Sequence, residues 1–384
     1  MANLKVDTVS GIGTEGTVFD GGLHFRSKNY LTLPKGTTAE RTATSSGIST
    51  EIGSIRYNTD SNKMECYVND KWMIVSTSSP DLDGGARGVC LGGNAPNPNN
   101  TIDYITISTA GNATNFGDLT ANIQQNAAFS SKTRGVSAGG ENPSITDVID
   151  FITISSTGNT TDFGNLTTNL RAISGNGFGN QTRGIVVGGY NAPAYSTNIQ
   201  YVNIASTGNA VDSGADLSEQ MTYGGCAASP TRGIIGWGDG SGSPGRKNLI
   251  EYVTIASLGN SQTFGELIVP DVAANVAGSN STRIIWFGGA SYPVAHSVIQ
   301  YATIASGGDA NSFGDLSANR FAAMVATSPT RGVVMGGAID SPWGNATNII
   351  EYVAISTLGD SVDFGDLTVA RNYGGGLSNA HGGL

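Results

Sequence analysis

Catalysis needs reactive side chains held close together, and this chain offers few. Its three histidines, His24, His296 and His381, fall in unrelated segments, so no two share a metal-ligand or acid–base spacing. Cys66, Cys90 and Cys226 are odd in number and far apart, with no CxxC pair. Cys90 and Cys226 lie in apolar strand patterns that suit buried thiols. No HExxH, GxSxG or P-loop phrase occurs. Two charged residues do recur. An arginine stands at 87, 134, 183, 232, 283 and 331, in phrases such as TRGVVMGG, and an acidic residue recurs in phrases such as DFGDL. Six arginines could form a ring, but their presence in every unit suits pairing with backbone or with a neighbouring unit. The recurrent Asp suits a structural hydrogen bond in the same way. The sequence thus predicts a non-enzymatic protein, with no metal and no cofactor.

The arginines are 47, 49, 49, 51 and 48 residues apart, taking differences of their positions. A period in that range marks an array of small folded units that bury their faces against one another. The unit from Arg320 contains four apolar, β-branched runs bounded by Gly, Pro and Asn: FAAMVAT (strand a), RGVVMGG (b), NIIEYVAIS (c) and SVDFGDL (d). Strand c carries an aromatic in all six units, at Tyr104, Phe151, Tyr201, Tyr252, Tyr301 and Tyr352. Four antiparallel strands at this period predict an all-β fold, a six-bladed β-propeller. The first unit lacks a strand a, and the C-terminal ARNYGGGLS is a strand a with no unit after it. Arg371–Ser378 is therefore expected to supply the missing inner strand and close the ring.

The first eighty residues differ. Residues 1–50 lack periodicity and read as an extended segment. Residues 51–78 read as a small β-meander, with strands at about Ser54–Asn58, Lys63–Val68 and Trp72–Val75, too small to bury a core alone. The propeller is expected over 79–384. Net charge is −10, with the twenty Lys and Arg scattered, which argues against nucleic acid and against an anionic membrane. The N-terminus shows no secretory signal, and no run approaches a membrane span.

Two resemblances add to this. The strand order and the Gly-Gly after strand b resemble kelch repeats, although Tyr352 and Phe364 are twelve residues apart, a wider aromatic spacing than kelch units use. Tyr30 to Val75 resembles a segment of virion structural proteins of tailed bacteriophages, especially marine ones. There a P-x-G-T-T-x-x-R phrase precedes a G-x-I-R-Y-N-T-D-x-x-K-x-E-x-Y hairpin. The blade phrases also resemble repeats of phage fibre and appendage proteins. The resemblance implies a virion protein made in the host cytoplasm, attached to other virion proteins through residues 1–78 as a homo-oligomer, with a trimer favoured.

Connections a–b and c–d are short and nearly constant, whereas b–c connections vary: YNAPAYSTN, DGSGSPGRKN, ASYPVAHS and AIDSPWGNAT among them. In such a unit the b–c loops emerge on one face, and rigidly mounted loops are where binding residues collect. The candidates are Tyr190, Tyr195, Arg246, Tyr292, His296 and Trp343, a composition suited to a host-surface glycan or protein. Variation of this kind is also what unconstrained loops accumulate. The expectation is a tail fibre or appendage that binds the host surface. The alternatives are a capsid-decorating or neck fibre with no receptor, and an intracellular kelch-like adaptor.

Overall fold

The computed structural model describes residues 33–41, 52–61, 63–75, 86–94, 96–240, 245–291, 293–339 and 345–384. The chain is all-β, with no α-helix among the described residues. It divides into two compact units, Met1–Pro80 and Asp81–Leu384.

In the first unit Ile55–Asn58, Lys63–Val68 and Lys71–Ile74 form the expected meander. The sheet also takes a fourth strand from the segment read as extended. Lys35–Gly36 pairs parallel with Tyr57 and Asn58. That strand escapes sequence reading because two residues carry no period. Side chains of the two phage-like phrases fasten it. Asn58 donates to Thr38 Oγ1 (3.0 Å) and Glu65 Oε1 (2.8 Å), Thr38 N–H donates to Asp60 (2.7 Å), and Arg41 pairs with Glu65. Arg41 holds the Glu65 carboxyl below its ordinary value against the opposing effect of burial. Asn58 and Glu65 are the buried residues here, and no apolar side chain described in this unit is buried. Ile55 and Met73 share the opposite face and are 47% and 56% exposed.

The second unit contains six four-stranded antiparallel sheets. In the sixth, Met324–Thr327, Arg331–Met335, Ile349–Ala354 and Val362–Asp366 lie side by side in that order. They are strands a to d, and the other sheets follow the same order. The first sheet takes its inner strand from the far end of the chain, where Gly375–Ser378 pairs with Arg87–Leu91. Strand a is shorter than FAAMVAT predicts. Arg320 and Phe321 pair instead with Ile339 and Ala338 at the base of the b–c loop, and Ala322 turns to a φ of 50°.

Apolar side chains of adjacent sheets pack face to face. Phe287, Ile299 and Phe313 of the fifth sheet meet Val325, Val334 and Val353 of the sixth, and Met324, Val333 and Phe364 of the sixth meet Cys90 and Ile105 of the first. Each such side chain contributes about 1.5–3 kcal/mol when fully buried.

The constant c–d turns bind the sheets to one another. Each turn lies along strand d of the preceding sheet. Gly158 N–H donates to Phe116 O (2.8 Å) and Thr160 N–H to Asp118 O (2.9 Å), while Asp118 N–H donates to Asn159 Oδ1 (3.0 Å). The same set recurs from sheet to sheet, except that the third-to-fourth joint has Ser261 N–H to Asp216 O (3.0 Å) and Asp216 N–H to Asn260 Oδ1 (3.0 Å) without the glycine bond, and it returns from the sixth to the first. There Gly111 N–H donates to Phe364 O (2.7 Å), Ala113 N–H to Asp366 O (2.7 Å) and Asp366 N–H to Asn112 Oδ1 (3.0 Å). The repeated arginines serve this joint. Arg87 Nη1 donates to Ile154 O (2.7 Å) of the next sheet and Arg331 Nη1 to Ile107 O (3.0 Å), with each guanidinium over the strand-c ring of its own sheet, at 4.8 Å and 4.5 Å. Pairing with backbone and with a neighbouring unit is what these arginines do.

A second cycle of bonds runs at the inner ends. Tyr373 N–H donates to Ala322 O (2.8 Å), Ala322 to Ala274 (2.8 Å), Ala274 to Tyr223 (2.9 Å) and Tyr223 to Ala172 (2.9 Å). Ile173 then donates to Gln125 O (3.2 Å) and Gln125 to Tyr373 O (2.6 Å), the starting residue. The left-handed φ values at these positions, 50° to 61°, cost each non-glycine residue about 1–2 kcal/mol and are held by the cycle.

A buried side chain on strand c anchors the residue that follows DFGDL. Gln200 Oε1 accepts from Thr167 N (2.9 Å) and Oγ1 (3.1 Å), and Asp103 accepts in the same way from Thr368 N (3.1 Å) and Oγ1 (2.7 Å). Asp103 also meets Arg371 Nη2 at 3.0 Å, both side chains fully buried. That contact is Coulombic rather than an aligned hydrogen bond, and Arg371 Nη1 donates to Thr101 O (3.1 Å). In the third sheet Leu170 and Gln200 stand where Arg371 and Asp103 stand in the first, as the threonines Thr167 and Thr368 register.

Two predictions follow from these joints. Arg371→Leu strands a buried carboxylate and is expected to cost about 3–5 kcal/mol in chemical denaturation. Adding Asp103→Gln rebuilds the third sheet's own pair and restores most of the loss; a double variant no better than the single would contradict this role. Gly314→Ala puts a methyl group against the Gly359 carbonyl of the next sheet and is expected to cost about 1–3 kcal/mol on the same assay.

Candidate functional site

The inner strands of all six sheets line a cavity of about 50 Å³, walled by small residues such as Ala128, Gly177, Ala227, Gly278, Ala326 and Gly376. That volume holds a few waters and no metabolite. Both of its ends are occupied. At the a–b side the C-terminal residues cross from sheet to sheet. His381 Nε2 meets Ser130 O (3.0 Å), and Gly382 N–H donates to Ser279 O (2.9 Å). Gly383 N–H donates to His381 Nδ1 (3.1 Å), so Nε2 carries the proton and donates to Ser130 O. At the b–c side the rings of Tyr223 and Tyr373 meet at 5.6 Å, from sheets three apart in the cycle, and Phe321 packs on Tyr373 at 6.4 Å. Tyr223 donates its hydroxyl to Gln125 Oε1 (2.8 Å), and burial pushes both phenols' pKa values up. Nucleophilic groups inside are equally inert: burial raises the Cys90 thiol to about 12.

The a–b and c–d side carries the near-constant turns that make the joints described above, still exposed to solvent, whereas the b–c loops vary. Each loop is anchored at its base by backbone pairs to the linker that enters the same sheet, Arg171 with Tyr190 and Thr222 with Asp239 among them. Tyr190 and Tyr195 face each other across a short hairpin, Tyr190–Asn191 with Ala194–Tyr195, with ring centroids 5.2 Å apart. Arg246 sits on the next sheet's loop, 4.0 Å from Asp239. His296 stands at the base of the fifth sheet's loop. Its backbone bonds Gly289 and Arg320, its Nε2 is buried without a partner, and burial depresses its pKa. It holds the loop base rather than facing a ligand. Tyr292 and Trp343 lie outside the described residues.

The structure thus brings Tyr190 and Tyr195 together and places Arg246 and His296 on separate loops. It adds residues that sequence reading passed over. Arg171 lies 4.8 Å over the Tyr190 ring, and its Nη1 is 3.2 Å from Glu141 Oε1. Glu141 Oε1 also accepts from Gln125 (3.1 Å) and Gln124 (3.4 Å). Arg171, Gln125 and Tyr223 lie in the d-to-a linkers; Gln125 and Tyr223 share one register after the FGDL phrase, and Arg171 stands one residue before it, where Gln124 and Thr222 stand in their own linkers.

A scan against protein-family models returns no match, and a search of curated proteins returns none. Among the described residues no cluster of His, Cys, Asp and Glu could hold a metal ion. Among the described residues no helix is long and apolar enough to cross a membrane.

The C-terminal strap gives a pH prediction. Part of the His381 ring is accessible, but both nitrogens face backbone partners, and burial lowers its pKa to about 4. Protonation would set a proton on Nδ1 against the Gly383 N–H. The unfolded chain takes that proton near 6.5, so this contribution to stability is complete above 6.5 and is lost as pH falls from there to about 4. It amounts to at most about 3 kcal/mol. Melting temperatures from pH 8 to 4 are expected to fall more steeply for the natural chain than for His381→Gln; parallel curves would contradict it.

Proposed function

We propose that the six sheets are the blades of a kelch-like propeller closed by Gly375–Ser378. In this reading the chain is a non-enzymatic virion protein of a tailed phage. It attaches to other virion proteins as a homo-oligomer through residues 1–78 and presents its b–c face to the host surface. The observation that carries the reading is the contrast between the faces. One side carries near-constant turns that join the sheets, the inner cavity is too small for a metabolite, and the other face carries variable, anchored loops with Tyr190, Tyr195, Arg171 and Arg246. Rigidly mounted aromatics and arginines lose little entropy on binding, and copies on one particle add avidity to weak contacts.

Support for the virion role comes from the first unit. Its phage-like phrases interlock through Thr38, Arg41, Asn58, Asp60 and Glu65 into one polar cluster. The apolar side chains described there are left uncovered, which suits a module that docks on copies of itself or on another virion protein.

Particles carrying Tyr195→Ala with Arg246→Ala are expected to assemble normally and to adsorb to host cells about tenfold less. The control is Val211→Thr with Val362→Thr, at strand-d positions 51% and 55% exposed. The c–d turns cannot serve as a control, because they join the sheets. Adsorption unchanged in the first pair moves the decoration or neck-fibre role ahead. Absence of the chain from purified particles overturns the virion assignment and favours an intracellular adaptor.

A further inference from the structure

The junction between the b–c loops of the second and third sheets is the most highly organised part of the b–c face. Arg171 is fixed through its backbone to Tyr190, by bonds of 3.1 and 2.9 Å. Its guanidinium is clamped between the Tyr190 ring at 4.8 Å and Glu141 Oε1 at 3.2 Å. Gln125, itself buried, ties Glu141 to Tyr223 by bonds of 3.1 and 2.8 Å. Tyr195 meets Tyr190 edge to face. Five segments from three successive sheets converge here, and the polar contacts on the carboxylate all fall on Oε1. No hydrogen bond to Glu141 Oε2 or Arg171 Nη2 forms among the described residues, and both residues are partly exposed.

An open carboxylate oxygen beside an open guanidinium nitrogen is a fixed acceptor next to a fixed donor. Two neighbouring hydroxyls of a sugar ring, each able to donate and accept, match that pair. The half-buried Tyr195 ring, packed on Tyr190, offers an apolar face to the C–H side of the same sugar. We propose that this junction binds an uncharged pyranose of a surface glycan. The inference rests on the reading of the b–c face as the recognition surface and names its ligand class. Charge decides between a neutral and an anionic sugar. Arg171 is offset by Glu141 and Arg246 by Asp239, and the chain carries a net charge of −10, so a sugar carboxylate or phosphate would find no surplus positive charge here.

The test is saturation-transfer NMR on the full chain. The probes are the methyl glycosides of glucose, galactose, mannose and N-acetylglucosamine, with those of glucuronic and N-acetylneuraminic acid as the anionic arm. Transfer to the ring protons of at least one neutral glycoside is expected. It should weaken about tenfold in Tyr195→Ala, persist in Tyr195→Phe, which keeps the ring, and be unaffected in Val362→Thr. Melting curves establish that each variant is folded. Three outcomes overturn the proposal: no transfer from any neutral glycoside, transfer confined to the anionic arm, or transfer unchanged in folded Tyr195→Ala. If adsorption falls in Tyr195→Ala with Arg246→Ala while no neutral glycoside binds, the sugar assignment fails and the recognition face stands. If neither effect appears, both fail.

Discussion

The second unit depends on one joint, the laying of each c–d turn along the outer strand of the sheet before it. A single four-stranded sheet of this size has two apolar faces and cannot cover either. The turn supplies two main-chain bonds, and its Asn or Asp side chain accepts a third. The Arg of strand b closes over the same turn from the preceding sheet. Because bonds of this kind join each sheet to the next and pass from the sixth sheet to the first, with the third-to-fourth joint short of its glycine bond, each sheet is held on both faces and apolar packing follows. Glycine in the DFGDL phrase is part of the same requirement: the neighbouring turn comes so close that Gly314 has no room for a Cβ.

That joint also explains which features were legible in the sequence. Strands b and c, the Gly-Gly turns and the aromatic twelve residues before the Phe of DFGDL repeat in register, so their period exposes them. The aromatic pair packs edge to face, Tyr352 on Phe364 at 5.9 Å, which is the physical content of that spacing. The tail segment that pairs with Arg87–Leu91 was legible because it repeats strand a where no unit follows. The function of the c–d turns was not. Their constancy reads as mere shortness until the strand they lie on is seen. The truncation of strand a was equally hidden, since Phe321 looks like any apolar strand residue and its diversion is imposed by the inner cycle of bonds.

The geometry of the proposed recognition face was legible only in outline. Loop variability marked out the b–c side, and the Tyr190–Tyr195 pair emerges from a hairpin that its sequence allows. The partners that organise this pair, Arg171 and Glu141, belong to a linker and to a different loop, and no local pattern ties them together. His296 stands at a loop base, bonded through its backbone to Gly289 and Arg320, with Nε2 buried and without a partner. The inner cavity bears on the same question: at about 50 Å³ it has no room for a metabolite.

The central claim is that six joints form one cycle, five of them carrying the glycine bond and the third-to-fourth carrying only the Ser261 and Asn260 bonds, including the joint between the two ends of the second unit. Amide hydrogen exchange tests it directly. Gly111, Gly158, Gly208, Gly308 and Gly359 stand in surface turns, and each donates its N–H to the preceding sheet. The account predicts that all five exchange as slowly as the amides of strands b and c, with Gly111, at the joint between the sixth and first sheets, no faster than the rest. Rapid exchange at Gly111 with protection at the other four would show an open seam and contradict the cycle.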